Sequence, residues 1–449
     1  MKPWSGLLPE SQRAAPPVVA PTDPSEVAWQ YRSWQRRVLV SSIIGYAAFY
    51  FVRKNLSVAM PVLQDSLGLQ KSSLGLCLTL HGLLYGVSKF ANGFLGDRAD
   101  ARVFMGLGLA ASAILNLLFG LNSAAIILGL IWIANGWFQG MGFPPCARLL
   151  THWFPPRQLA TKMSIWNTSH PIGGGLIVVL CGYLVVINWR LCFFVPALIA
   201  LGCVVFIWFA LPDTPASVGL PEVEGTESDS AAQESRAEFR AFVIQQVFRN
   251  KFIWIVSLAN FFVYIVRFAV LDWGPTLLTE SKHIRITHAG WMVAAFEICG
   301  LGGALLGGWM TDRFLGGRAA RACVVYMALA GVSVFLFWKI PFQSELLTTG
   351  LLGAAGFFIY GPQCLLAVAA ANLATKRAAA TAIGLTSIFA YASTVVSGWG
   401  LGALVQHYGW DAAFAGLTLV TALGTLLFVV AWPAKAHGYN EKREGLPVG

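Results

Sequence analysis

Twelve apolar stretches, each of the length a helix needs to cross a bilayer, divide this chain and leave little room for any other architecture. They run over 38–60, 73–96, 103–121, 124–148, 159–187 and 191–211, then 252–275, 289–311, 321–340, 346–371, 379–405 and 410–432. A crossing helix takes about 20 mostly apolar residues, whereas a crossing strand takes about 10. Composition agrees: 56% of residues are hydrophobic and 12% charged, against about 25% charged in soluble domains. Lipid is the solvent in which so apolar a surface is stable, and helices satisfy their own backbone there. The expected fold is an all-α membrane protein of twelve transmembrane helices in two pseudo-symmetric six-helix bundles.

The two halves repeat each other. GFLGDRADAR (Gly93 to Arg102) closes the second stretch and GWMTDRFLGGR (Gly308 to Arg318) closes the eighth. Asp97 and Asp312 are 215 positions apart, Arg53 and Arg267 are 214 apart, and Trp189 and Trp410 are 221 apart. Three landmarks at nearly one offset mark an internal duplication of the kind found in transporters. The single shift in composition, from Pro212 to Asn250, is polar and rich in glutamate. The chain therefore divides into an N-terminal tail (1–37) punctuated by Pro16, Pro17, Pro21 and Pro24, a first bundle (38–211), a linker (212–251), a second bundle (252–432) and a C-terminal tail (433–449).

Basic residues orient the spans. Arg32, Arg36 and Arg37 precede the first, and Arg98, Arg102, Arg157, Lys162, Arg313, Arg318, Lys376 and Arg377 fall in alternate loops. By the positive-inside rule both tails and the linker face the cytoplasm, placing the chain in the cell (inner) membrane. These loops account for the formal net charge of +10, so no nucleic-acid partner is needed. The start lacks the basic, apolar and small-residue succession of a secretory signal, so the first span is expected to stay uncleaved. The eight cysteines form no CxxC or CxxH pair, which argues against a zinc site. With no nucleophile–base arrangement and no phosphate-cradling loop either, neither a cofactor nor an enzymatic activity is expected.

Arg53, Lys54, Lys89 and Arg267 fall inside apolar stretches, where each charge costs about 2.5–3.5 kcal/mol at a helix centre. Two readings stand side by side. Structural compensation would use the few span acids, chiefly Asp272 and Glu297, or snorkelling to the interface, which suits Lys54 best. Alternatively an anionic substrate supplies the counter-charge, because a planar guanidinium matches phosphate oxygens in a bidentate fork. Tyr46, Tyr50 and Arg53 sit at i, i+4 and i+7 on one helical face, and Tyr264 and Arg267 repeat the pattern in the second half. His170 either adds charge beside a phosphate or serves as a neutral hydrogen-bonding group, and Asn167 one turn earlier shares either role. Gly173, Gly174 and Gly175 permit close helix approach or bending. The acid and arginines of Asp97, Arg98, Asp312 and Arg313 suit either a cytoplasmic gate or a static loop brace.

The loop after the second span resembles that of the major facilitator superfamily. YFVRKN (Tyr50 to Asn55), YGVSKF (Tyr85 to Phe90), GWFQGMGFPPCAR (Gly136 to Arg148), WNTSHPIGGG (Trp166 to Gly175), YIVRFAVLDWGP (Tyr264 to Pro275) and YGPQ (Tyr360 to Gln363) resemble, more narrowly, the organophosphate:phosphate antiporters. The resemblance covers about Tyr31 to Trp432. It implies the major facilitator fold and a phosphate-binding arginine pair at Arg53 and Arg267, with Lys89 and His170 as further binding residues. It also implies a cavity lined by Tyr46, Tyr50, Tyr85, Tyr264, Tyr360 and Tyr391, with Asn167 and Glu297 at family positions. Pro171 departs from the asparagine more usual after the histidine, and Ile383 and Thr386 stand where some relatives carry an acid and a lysine. The AVAAANLATKRAAATA run (Ala367 to Ala382) is similar to the hexose-phosphate sensor branch.

The resulting expectation is a secondary active transporter that exchanges a phosphorylated sugar or polyol, hexose 6-phosphate favoured, for inorganic phosphate by alternating access. Its partners would be that phosphorylated small molecule, inorganic phosphate and the bilayer. Two rivals share the cavity. One is a non-transporting sensor of external hexose phosphate working with a membrane sensor kinase, and the other is a proton-coupled organic anion symporter, for which Glu297 or Asp272 would be the titratable acid.

Overall fold

The computed structural model describes residues 24–96, 99–221, 242–315, 318–341, 344–374 and 379–434. Helices α1 (Pro24–Phe51), α2 (Asn55–Leu67), α3 (Lys71–Gly96), α4 (Ala101–Leu121), α5 (Ala125–Gln139), α6 (Phe143–Trp153), α7 (Pro156–Asn167), α8 (Ser169–Ile187) and α9 (Leu191–Ala210) precede the linker. Helices α10 (Lys251–Lys282), α11 (Ile286–Phe314), α12 (Ala319–Lys339), α13 (Glu345–Ala374), α14 (Ala379–Ala392) and α15 (Leu401–Val430) follow it. Among the described residues nine helical stretches are long and apolar enough to cross a membrane. One of them, Thr381–Val430, has 50 residues. At 1.5 Å per residue that is about 75 Å, enough for two crossings of a ~30 Å core, and Gly409 breaks it with a left-handed φ of 77°. Those nine stretches thus supply ten spans, and α1 with α2, which flank Arg53 and Lys54, and α3, which carries Lys89, complete twelve spans in two six-helix bundles.

Several spans are not single rods. The first is interrupted between Phe51 and Asn55, the fourth between Gln139 and Phe143, and the fifth at Thr168. The first helix also begins at Pro24, well before the apolar run that opens at residue 38. Aromatic packing explains that extension. The rings of Tyr31 and Trp34 lie 6.1 and 6.4 Å from that of Trp153, and Gln35 Nε2 donates to the Trp153 carbonyl at 2.7 Å.

The chain forms two compact units, Met1–Val62 with Leu83–Ala232, and Leu63–Gly82 with Gln233–Gly449. Residues 63–82, which the sequence assigns to the first bundle, therefore cluster with the second unit. Within that unit Thr79 Oγ1 donates to the Thr394 carbonyl at 2.7 Å, and Lys71 Nζ pairs with Glu280 Oε1 at 3.1 Å.

The first unit is closed at one end by a buried ion pair between side chains 65 positions apart. Both terminal nitrogens of Arg148 donate to the Asp213 carboxylate, whose Oδ1 also accepts from the Ala101 N–H at 2.8 Å. Arg148 Nη1 donates further to the Ala99 carbonyl at 3.1 Å. Asp100 caps α4 through the N–H groups of Arg102 (2.9 Å) and Val103 (3.3 Å). Burial, and then the nearby charge of Asp213, push the Asp100 carboxyl above its ordinary value. The side chains of Arg148 and Asp213 are 7% and 0% exposed, so neither charge has water to fall back on.

Asp213→Asn should strip the counter-charge from Arg148 and destabilise the protein by about 3–5 kcal/mol. Asp100→Asn should cost less than about 1 kcal/mol, since asparagine caps a helix as well as aspartate and the charge it removes is one the site disfavours. Unfolding of both purified variants in detergent micelles measures the difference.

Candidate functional site

In the first unit the basic residues are set against aromatic rings. Helix α1 delivers Tyr46 and Tyr50 and ends at Phe51, and Arg53 and Lys54 both turn their N–H groups back to the Tyr50 carbonyl, at 3.2 and 2.9 Å. Arg53 thus reaches the tyrosine face from a turn, where the spacing alone predicts a continuous helix. Its guanidinium carbon lies 4.2 Å from the centre of the Tyr85 ring and 5.7 Å from that of Tyr50. One turn along α3 from Tyr85, Lys89 Nζ stands 3.9 Å from the Phe143 ring centre. Such contacts orient a cation and contribute about 0.5–2 kcal/mol without neutralising it.

His170 joins the same cluster. Its ring centre is 4.9 Å from Tyr46, 5.5 Å from Tyr50 and 5.4 Å from Trp166. Its Nδ1 lies 2.9 Å from the Asn167 carbonyl. A carbonyl only accepts, so Nδ1 carries the proton and Nε2 is the basic nitrogen. Asn167, the last residue of α7, contributes that carbonyl across the break at Thr168. Pro171 sits in the first turn of α8, where a missing N–H breaks no ladder bond. Of the three glycines, Gly173 sets the approach: a Cβ there would lie 2.6 Å from the Ala47 carbonyl oxygen and 3.0 Å from Tyr50 Cβ.

In the second unit α10 runs unbroken through Arg267. Arg267 Nη2 donates to the Tyr360 hydroxyl at 3.2 Å, and that hydroxyl donates in turn to Glu297 Oε2. The three side chains come from α10, α13 and α11, and the residues are 5%, 5% and 1% exposed. Tyr264 and Phe268 stand on the same helix, with ring centres 5.7 and 5.9 Å from the Arg267 guanidinium carbon. Glu297, one of the two span acids that the sequence offers as compensation, therefore stands one hydroxyl away from Arg267. Tyr391 lies on α14, half-buried, and its carbonyl accepts from Thr394 Oγ1 at 2.7 Å.

Asp97 and Arg98 lie outside the described residues. Asp312 and Arg313 belong to the last turn of α11, and Arg313 is exposed. The sequence reading missed Phe143 and Trp166 as partners of Lys89 and His170. It also missed Asn116 and Asn135, which reach the turn before Arg53 from α4 and α5. Trp166 stands one helical turn before His170 and could have been found from that spacing, whereas no local pattern announces the other three. Among the described residues no group of histidine, cysteine or carboxylate side chains is arranged to hold a metal ion.

A sequence profile of the Major Facilitator Superfamily matches residues 42–398 and 278–447. A glycerol-3-phosphate transporter of Bacillus subtilis is 38% identical over 428 residues, covering 93% of this chain and 96% of that one. A probable hexose phosphate transport protein of Chlamydia pneumoniae is 37% identical, covering 94% and 96%. The membrane sensor protein UhpC of Salmonella typhimurium is 36% identical, covering 92% and 95%. Among solved structures, a bacterial homolog of the human lysosomal transporter Spinster, inward-facing and unoccupied, superposes with a TM-score of 0.70 at 16% identity, covering 90% and 96%.

Gly173→Ala should force α8 away from α1 and carry His170 off Tyr46 and Tyr50, at a cost of about 1–3 kcal/mol. Gly202→Ala is the control, because a Cβ there meets nothing within 4 Å. It should leave unfolding in micelles unchanged while Gly173→Ala lowers stability.

Proposed function

The chain belongs to the major facilitator superfamily, within its organophosphate:phosphate antiporters, and from that premise we propose that it exchanges a phosphorylated sugar or polyol, with hexose 6-phosphate favoured, for inorganic phosphate. As a multi-pass membrane protein it would do so by alternating access in the inner membrane, with both termini cytoplasmic. The arginine pair carries the reading. Each unit holds one guanidinium against tyrosine rings, Arg53 by Tyr85 and Tyr50, Arg267 by Tyr360 and Tyr264.

In this reading both guanidinium groups take phosphate oxygens as bidentate forks. Lys89 and His170 add charge and a hydrogen bond, and the tyrosine hydroxyls of Tyr46, Tyr50, Tyr85, Tyr264, Tyr360 and Tyr391 serve the remaining oxygens. The tethers of the two arginines differ in what substrate would displace. Arg267 already donates to Tyr360, so an arriving phosphate would compete for that donor and release the hydroxyl. Asp97, Arg98, Asp312 and Arg313 act as gate groups.

Coupling follows from charge. Arg53, Lys89 and Arg267 would concentrate positive charge in the site, which opposes closure around a dry interior. A bound dianion removes that penalty, so only loaded states interconvert readily. A differential affinity of a few kcal/mol between states suffices. The similarity to the sensor UhpC supports a second reading in which the same residues bind hexose phosphate and the chain signals without flux.

Arg53→Lys and Arg267→Lys should each lower kcat/KM for phosphate exchange about 10- to 150-fold, the loss of one charge-assisted hydrogen bond, while the protein stays folded. Proteoliposomes loaded with unlabelled phosphate separate the readings. Labelled uptake that needs trapped phosphate supports exchange, uptake indifferent to it contradicts coupling, and binding without flux points to the sensor.

A further inference from the structure

The turn that carries Arg53 is held from outside its own helix. Where α1 stops at Phe51, the Val52 carbonyl has no helical N–H to accept, and two buried carboxamides reach it. Asn116 Nδ2 donates from α4 at 3.0 Å and Asn135 Nδ2 donates from α5 at 2.8 Å. Asn55, the first residue of α2, joins them by donating to Asn116 Oδ1 at 2.7 Å and to the Cys192 carbonyl at 2.8 Å. Of the neighbouring carbonyls, that of Tyr50 accepts from the Arg53 and Lys54 N–H groups and that of Lys54 from Ser57 Oγ at 2.7 Å.

Asn55, Asn116 and Asn135 are 0%, 1% and 0% exposed. Among the described residues the Oδ1 atoms of Asn55 and Asn135 have no hydrogen-bond partner. Burying a carboxamide with half its hydrogen bonds unmade is unfavourable, and an apolar side chain of similar volume would serve packing better. The arrangement makes sense if the break itself is what must be kept. The second half supplies the contrast: Val266 and Ala269 stand 214 positions after Val52 and Asn55, and there the helix runs on unbroken.

We propose that Asn116 and Asn135, braced by Asn55, are positioning residues that hold the helix break open and so aim Arg53 at the phosphate. Closing the break into regular helix would rotate Arg53 by about 100° for each residue gained, away from Tyr85. The inference rests on the assignment of Arg53 to phosphate, and the test keeps the two apart. Asn135 makes its described hydrogen bond to Val52 and to nothing else described, so it is the cleaner site to vary.

Asn135→Val and Asn135→Thr have nearly the same shape, and only threonine keeps a donor. Phosphate exchange is measured in proteoliposomes for both, alone and with Arg53→Ala, with Asn116→Val and Asn116→Thr as a second pair. The valine variants should raise KM for inorganic phosphate about five- to tenfold with kcat within about twofold, the threonine variants should lie nearer wild type, and the difference should vanish in the Arg53→Ala background. Equal KM in valine and threonine variants, or valine variants that fail to fold where threonine variants fold, would overturn the positioning role. Phosphate affinity unchanged by Arg53→Ala alone would overturn the assignment of Arg53 instead.

Discussion

A polar group buried among apolar helices must find its partner inside the protein, because lipid offers none. That constraint decides how this chain treats each of its interruptions. Where α1 breaks, the Tyr50 carbonyl takes N–H groups of the turn, the Lys54 carbonyl takes a serine hydroxyl, and the Val52 carbonyl takes two carboxamides from other helices. An asparagine that elsewhere in a span would be a liability becomes here the condition for having a turn at mid-span at all. The break and the asparagines are one feature.

The same constraint sorts the arginines. Arg148 meets a carboxylate squarely, with two terminal nitrogens on Asp213 and a backbone carbonyl besides. A pair so closed is a brace, and removing either partner leaves an uncompensated buried charge. Arg53 is set against the faces of Tyr85 and Tyr50, and Arg267 reaches Glu297 through the hydroxyl of Tyr360. A ring face attracts a cation yet leaves its charge in place, and a phenol can give up one acceptor role for another. Those contacts are compatible with the anion-binding role proposed for both guanidinium groups.

How much of this could be read from the sequence depends on the range of the interaction. Spans, the duplication and the charged positions within them are local or periodic signals, and the apolar runs, the repeated Arg53 and Arg267 and the superfamily loop motif are all visible in one line of letters. The run Gly173 to Gly175 was legible as a place of close approach or bending, and only the structure singles out Gly173. The breaks were not legible in the same way. Nothing near Val52 says that Asn116 and Asn135 lie across from it, more than 60 positions away, and Arg148 finds Asp213 across a similar gap. The helical start at Pro24 was hidden for a like reason, since it depends on Trp153 accepting Tyr31 and Trp34.

The duplication makes the two arginines equivalent in sequence and the structure makes them unlike. Both follow a tyrosine by three positions, Tyr50 before Arg53 and Tyr264 before Arg267. Beyond each arginine the halves differ, with Lys54 and Asn55 in the first and Phe268 and Ala269 in the second. An alanine offers no carboxamide with which to brace an open turn, so α10 keeps its ladder and fixes Arg267 through a side-chain relay to Tyr360 and Glu297. Asn55 belongs to the set that fixes Arg53 through its own backbone. A ligand pulling on Arg267 works against a hydrogen bond that can be exchanged, whereas one pulling on Arg53 works against a turn locked by neighbouring helices. One half of the pair is built to yield and the other to hold.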